Sequence, residues 1–247
     1  MSMKDCLPPM MMKKRPARVL SVQASGHQLL PADAARFMLF FLAAIFFSLL
    51  SFAQQDANYL KVITERSAKI INTLGVQDST HYNQALQTVV LQYAAINEIH
   101  EEAKAATQQA KANSTNTAAL RVQLQAIELK KKNLLAAKHQ SYLQQLHAVL
   151  TPAQVEQVKD GMTYKVFPNT YAAYLDMIQQ LTAVQKAKIY DWLKEAREEA
   201  MDAESSDKKH AVFGKYKGRI NNYLSAEGYD LKKETEAWQQ RLKAKAK

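Results

Sequence analysis

The sequence has very little cysteine, glycine and proline. One cysteine, six glycines and six prolines occur in 247 residues. A single thiol excludes a disulfide scaffold and a zinc site with four cysteine ligands. So few glycines and prolines argue against collagen-like, low-complexity and turn-dense all-β architectures. The length suits one or two domains whose hydrophobic core needs no cross-links.

The short motifs that mark catalysis and nucleotide binding are absent from the sequence as well. It contains no GxSxG, Walker A, GxGxxG, HExxH or EF-hand pattern. We therefore predict no cofactor and lean against an enzyme. The formal charge of +10 is spread along the chain rather than gathered in one stripe, which argues against a nucleic-acid partner.

The first 53 residues have the layout of a signal peptide with a long basic leader. Arg36 precedes an uncharged apolar stretch at 37–53, and Ser51 and Ala53 are small residues at the positions that a signal peptidase recognises. An uncleaved anchor is the alternative, because a stretch of that length approaches what spans a bilayer. We predict cleavage near Ala53 and a mature protein that is periplasmic or secreted. Membrane contact would then occur only through an uncleaved signal segment.

The remaining residues, 54–247, predict a single all-α domain. In the part 54–150, apolar residues recur at helical spacing in two long segments joined by the polar link 113–116, which predicts a long antiparallel hairpin. Polar stretches interrupt its apolar stripe, so we expect part of the hairpin to project or to pair with a partner. The aromatic-rich part 151–247 predicts a compact helical bundle.

Helix ends in the second part are marked by capping signals. Thr151 and Thr182 each begin a capping box, in which a threonine is followed three residues later by glutamine. We expect Asn169 and Ser206 to cap two further helices, and residues 161–168 to be extended. The aromatic residues of this part favour a core, with a stacking platform for sugar rings as the alternative; they are Tyr164, Phe167, Tyr171, Tyr174, Tyr190 and Trp192.

One candidate site is a row of four carboxylates on a single helix face: Asp191, Glu195, Glu198 and Asp202. Such a row can bind a cation or a basic partner. A solvated surface is the favoured interpretation, since the row lies opposite the apolar face. We predict no metal site, because the histidines after the leader are scattered and favour solvated or hydrogen-bonded single side chains; they are His81, His100, His139, His147 and His210.

A second row borders the apolar stripe of the next helix and is the best candidate for a ligand site: His210, Gly214, Lys217 and Asn221. Glycine inside a helix costs about 1 kcal/mol relative to alanine. Its presence predicts the close approach of another helix, which is favoured, or of a polar ligand. We expect Gly214→Leu to lower stability if Gly214 is a packing position.

Two resemblances extend these predictions. The segments 150–154 and 181–185 both read Leu-Thr-x-x-Gln, which resembles the LTxxQ motif of periplasmic stress proteins and implies a helical, ATP-independent chaperone. The runs GMTYKVFPNTYAAYLDMI and IYDWLKEAREEAMDAESSDKKHAVFGKYKGRINNYLSAEGYD are similar to an exported family known only as a domain of unknown function. Its members occur in Gram-negative bacteria that degrade plant polysaccharides. That resemblance implies an exported helical domain.

The leading functional hypothesis is a binding protein that holds a protein or envelope partner through the hairpin, in the manner of a chaperone. The alternative is a glycan-related accessory protein that binds a plant-type glycan, or an unrecognised polysaccharide-active enzyme that acts on one. Because a glycosidase needs two carboxylates about 5–10 Å apart across a cleft, one row on a single face does not support the enzyme.

Overall fold

The computed structural model describes residues 57–245, and all regular structure within that range is helical. The predicted all-α class is thereby confirmed. The predicted signal peptide and its cleavage site near Ala53 lie outside the described residues. Within them, no helix is apolar over a length that would cross a membrane.

The first three helices build the hairpin and a helix that packs against its base. Helix α1 covers residues 57–72 and is followed by Gly75, whose φ of 65° is the left-handed conformation that glycine adopts at helix ends. Helix α2 spans Ser79–Asn113 and helix α3 spans Thr117–Val149. Only residues 114–116 separate them, so they form the predicted long antiparallel pair.

Five further helices follow the hairpin. Helix α4 spans Pro152–Met162, α5 Val166–Met177, α6 Ala183–Met201, α7 Ser206–Ala226 and α8 Leu231–Lys245. Both predicted capping boxes are confirmed, because Thr151 and Thr182 each accept from the backbone N–H three residues later and the glutamine there reaches back.

The prediction of an extended segment at 161–168 is wrong. Residues 161 and 162 end α4, and α5 already begins at Val166. Asn169 therefore lies inside α5 and does not cap it. The cap of α7 is Ser205 rather than Ser206, with its hydroxyl accepting from the N–H of Lys208.

Two apolar clusters stabilise the described chain. The first joins α1 and the base of the hairpin to α4, and its members include Ile71, Val89, Leu146 and Val158. The second joins α5, α6 and α7 and contains Phe167, Tyr174, Phe213 and Tyr216. The bundle predicted for residues 151–247 thus corresponds to the second cluster, except that α4 packs into the first. Aromatic side chains suit such a core because each buries about 150–250 Å².

The hairpin arm, which we define as residues 101–141, lies away from both clusters. No residue of this arm is buried, although residues 101–113 and 117–141 are helical. Val122 and Leu129 expose 62% and 59% of their surface there. Helices without buried contacts are only marginally stable in water, so the arm depends on contacts at its base.

Candidate functional site

The predicted carboxylate row divides into two parts in the structure. Asp191 and Glu195 are exposed on the outer face of α6, where Glu195 lies 3.7 Å from Arg219. Glu198 and Asp202 instead face the hairpin and α4. The prediction of a solvated surface is therefore wrong for these two carboxylates, because they form ion pairs with basic side chains of the same chain.

His139 of α3 lies between these two carboxylates, and we call this arrangement the histidine clasp. Its Nε2 is 3.2 Å from Glu198 Oε2, and its Nδ1 is 3.0 Å from Asp202 Oδ2. Since carboxylates only accept hydrogen bonds, both ring nitrogens donate and the imidazole is charged. The hydrogen bonds to Asp202 and Glu198 raise the pKa of His139 to about 9, against the lowering effect of burial.

A second histidine joins the hairpin to the end of α6. His100 of α2 has its Nε2 2.9 Å from the carbonyl oxygen of Asp202 and its Nδ1 3.0 Å from Glu204. His100 and His139 are thus hydrogen-bonded single histidines, as expected. Together they join α2 and α3 to the end of α6. Among residues 57–245, no group of three or more histidine, cysteine, aspartate or glutamate side chains is arranged to hold a metal ion.

Arg197 extends the ion pairs of the histidine clasp into the interior of the protein. Its side chain is only 1% exposed, and it lies over the ring of Phe167 while its nitrogens pair with Asp160 at 2.7 Å and with Glu156. Lys159 completes the network with an ion pair of 3.1 Å to Glu198. Burial raises the pKa of Glu198, but the His139 hydrogen bond and the nearby Lys159 and Arg197 charges lower it to about 2.

A groove of about 700 Å³ lies between α1 and the turn that joins α4 to α5. We call it the basic groove. Arg66 and Lys69 line it from α1, and Asp160, Tyr164 and Lys165 line it from the turn. Its size falls in the range of small-molecule binding sites, which is about 300–1,000 Å³.

The turn beside the basic groove has an unusual backbone. Tyr164 and Lys165 have φ values of 58° and 56°, the left-handed region that side chains other than glycine rarely adopt. The Lys165 N–H donates to the Asp160 carbonyl at 2.7 Å and so closes the end of α4. Each left-handed residue costs about 1–2 kcal/mol. Strain of this kind concentrates at functional sites.

The charge of the basic groove is positive. Arg66, Lys69 and Lys165 form no ion pair among the described residues, whereas the Asp160 carboxylate is neutralised by Arg197. Glu65 is the one further carboxylate among the residues that line the cavity. The excess of unpaired cations favours an anionic ligand.

The second predicted row, 210–221, is shared between two places. His210 stacks on Tyr164 at the basic groove, with ring centroids 5.6 Å apart and an angle of 14°. Lys217 and Asn221 line a separate cavity of about 390 Å³ between α5, α7 and α8, which we call the α8 pocket. A Cβ atom on Gly214 would have no atom within 4 Å. The favoured interpretation of Gly214 as a helix-packing position is therefore wrong.

Apart from Tyr164, which belongs to the predicted aromatic set, the residues of the basic groove were missed by the sequence reasoning. A left-handed turn is signalled in a sequence by glycine or asparagine, and here tyrosine and lysine adopt it. The predicted aromatic platform is also divided. Phe167 and Tyr174 are buried in the core, while Tyr164 and Tyr190 are each 39% exposed.

The sequence matches a known protein family. A family model described as "Protein of unknown function (DUF3826)" matches residues 60–244. The match covers most of the chain, so the chain belongs to this family. No curated protein matches it.

Proposed function

We propose that this member of the DUF3826 family acts by binding, and that its ligand is an acidic glycan fragment held in the basic groove. The observation that carries the proposal is a cavity of about 700 Å³ lined by Arg66, Lys69 and Lys165, none of which forms an ion pair among residues 57–245. The nearby carboxylate of Asp160 is already neutralised by Arg197.

The lining of the groove suits a sugar ring better than a small inorganic anion. Tyr164 is 39% exposed, and the ring face that His210 does not cover can pack against the apolar face of a sugar ring. Lysine and arginine on the opposite side supply the donors for a carboxylate. The volume of the cavity exceeds that of one phosphate or sulfate ion several-fold.

Calorimetric titration with oligomers of galacturonic acid tests this proposal, with neutral galactose oligomers of equal length as control ligands. A charge-assisted hydrogen bond contributes about 1.5–3 kcal/mol, so Lys69→Gln should weaken the acidic ligand about tenfold or more. Lys61→Gln is the matched control, because Lys61 is an exposed lysine on the same helix that does not line the groove. Absence of binding, or equal affinity in Lys69→Gln and Lys61→Gln, would refute the proposal.

The proposal includes export, with residues 37–53 as the apolar part of a signal peptide. It rests on the charge and small-residue pattern of the leader. Mass spectrometry of the protein recovered from the periplasm or the medium should find an N-terminus near residue 54. Recovery of the full leader on the protein would contradict it.

A second candidate function is supported by the hairpin arm, which would hold a protein or envelope partner as a chaperone does. The specific observation is that residues 101–141 include no buried side chain while Val122 and Leu129 are exposed. Apolar surface retained on a projecting arm favours contact with another molecule.

A shortened arm tests this second candidate. Removal of 105–111 and 119–125 takes two turns from each helix and leaves the contacts of His100 and His139 with α6 in place. The shortened protein should lose the ability to suppress aggregation of an unfolded client. Val122→Ser should reduce it too, whereas Val184→Ser, which changes an exposed valine on α6, should not. Full activity of the shortened protein, or none in the wild type, would exclude this function.

A further inference from the structure

Residues on one face of α7 lie beside both the basic groove and the α8 pocket. His210 stacks on Tyr164 at the groove, and Lys217 and Asn221 line the pocket. These residues fall on one face of the helix because they follow its periodicity. From His210 to Asn221 the helix rises by about 16 Å.

The α8 pocket offers an aromatic wall and unused donors. Trp238 Nε1 donates to the Asp176 carboxylate at 2.7 Å, which holds the indole in place. The Tyr174 hydroxyl donates to Asn221 Oδ1 at 2.7 Å, which leaves the amide N–H groups of Asn221 free to donate. The Lys217 ammonium, which also lines the pocket, has no ion pair among the described residues.

Gly214 lies between the two cavities on the same face of α7. A Cβ atom there would have no atom within 4 Å, so no neighbouring helix requires the glycine. A glycine inside a helix costs about 1 kcal/mol relative to alanine. Its effect is to keep the surface between the two cavities free of a side chain.

We infer that the ligand is an acidic oligosaccharide several sugar units long, which extends from the basic groove across Gly214 into the α8 pocket. This inference rests on the proposed function and specifies its ligand. The groove supplies cations and Tyr164 at one end. The pocket supplies Lys217 for a second carboxylate, Asn221 for hydroxyl groups and Trp238 for a ring face. One sugar ring cannot reach both cavities over about 16 Å.

The test is a titration of the full chain with galacturonic acid oligomers of increasing length, from one unit upward. Affinity should rise at least tenfold between the shortest oligomer that binds and one long enough to reach both cavities. Lys217→Gln and Gly214→Leu should bind the shortest oligomer with wild-type affinity, but their affinity should not rise for the longer oligomers. Asn222→Leu is the matched control, because Asn222 is an exposed residue of α7 outside this face.

Melting temperatures separate a blocked site from a damaged fold. Gly214→Leu should melt at or above the wild-type temperature, because the added side chain meets open space. An affinity that does not depend on length, or a gain that both variants retain, would overturn the inference and leave the groove proposal intact. Failure of every oligomer to bind would overturn both. Equal binding of an oligoglutamate peptide would show that the recognised class is an acidic peptide.

Discussion

Replacing His139 by glutamine should remove a pH-dependent part of the stability of this protein. In the histidine clasp, the imidazole donates to Asp202 from Nδ1, which is 3.0 Å from Oδ2, and to Glu198 from Nε2 over 3.2 Å, and its side chain is only 17% exposed. Glutamine retains hydrogen-bonding capacity but carries no charge. The variant therefore changes the titrating group while it keeps a polar side chain of similar size.

The expected magnitude follows from the pKa of His139. The two carboxylates raise this pKa from 6.5 to about 9 in the folded protein. Because the folded pKa is raised, the contribution is complete below about pH 6.5 and is lost as the pH rises through about 9. This difference in pKa between the folded and the unfolded protein corresponds to about 3 kcal/mol of stability. The free energy of unfolding can fall by up to about 1.4 kcal/mol for each pH unit.

The assay is urea unfolding of the full chain, followed by circular dichroism between about pH 6 and about pH 9.5 at constant ionic strength. The stability difference between wild type and His139→Gln should shrink by about 3 kcal/mol over that range. Lys209 also titrates there, since burial lowers its pKa to about 8. Its depressed pKa makes stability rise with pH, but both proteins contain it, so its effect cancels in the difference.

His147→Gln is the control, because His147 is an exposed histidine on the same helix. Its stability should follow that of the wild type at every pH. Parallel profiles for wild type and His139→Gln would show that the clasp does not hold a charged imidazole, and the reasoning would fail.

Three further substitutions test the packing and the charge of the site. Gly161→Ala should lower the free energy of unfolding, measured in urea, by about 1–3 kcal/mol, because the added Cβ would lie 2.8 Å from Ile70 Cγ2. Unchanged stability would show that α1 and α4 are not in close contact. Lys165→Gly should raise the free energy of unfolding by about 1 kcal/mol, since it removes the backbone strain of a lysine in the left-handed conformation. Calorimetry should also show weaker binding of the acidic ligand. A less stable protein would contradict the backbone argument. Arg197→Met should lower the free energy of unfolding by about 3 kcal/mol, because it leaves Asp160 and Glu156 without their buried partner. Unchanged stability would mean that this ion-pair network is not needed for the fold.

The helices and most of their ends were determined by local sequence alone. Helical periodicity depends on residues three and four positions apart, and a capping box depends on residues three positions apart, so both can be read from the sequence. Thr151 and Thr182 mark helix ends where the sequence predicted them. The long hairpin followed from its short polar link for the same reason.

Only the tertiary structure decided where charges meet and where space remains. His139 and Glu198 are 59 positions apart, and no local pattern pairs them. Once they meet, a row that the sequence predicted as solvated becomes an ion-pair network. The basic groove likewise depends on how closely α4 approaches α1 at Gly161. Its two left-handed residues, Tyr164 and Lys165, are held by surrounding contacts against their own backbone preference, which is why the sequence indicated neither the turn nor the site.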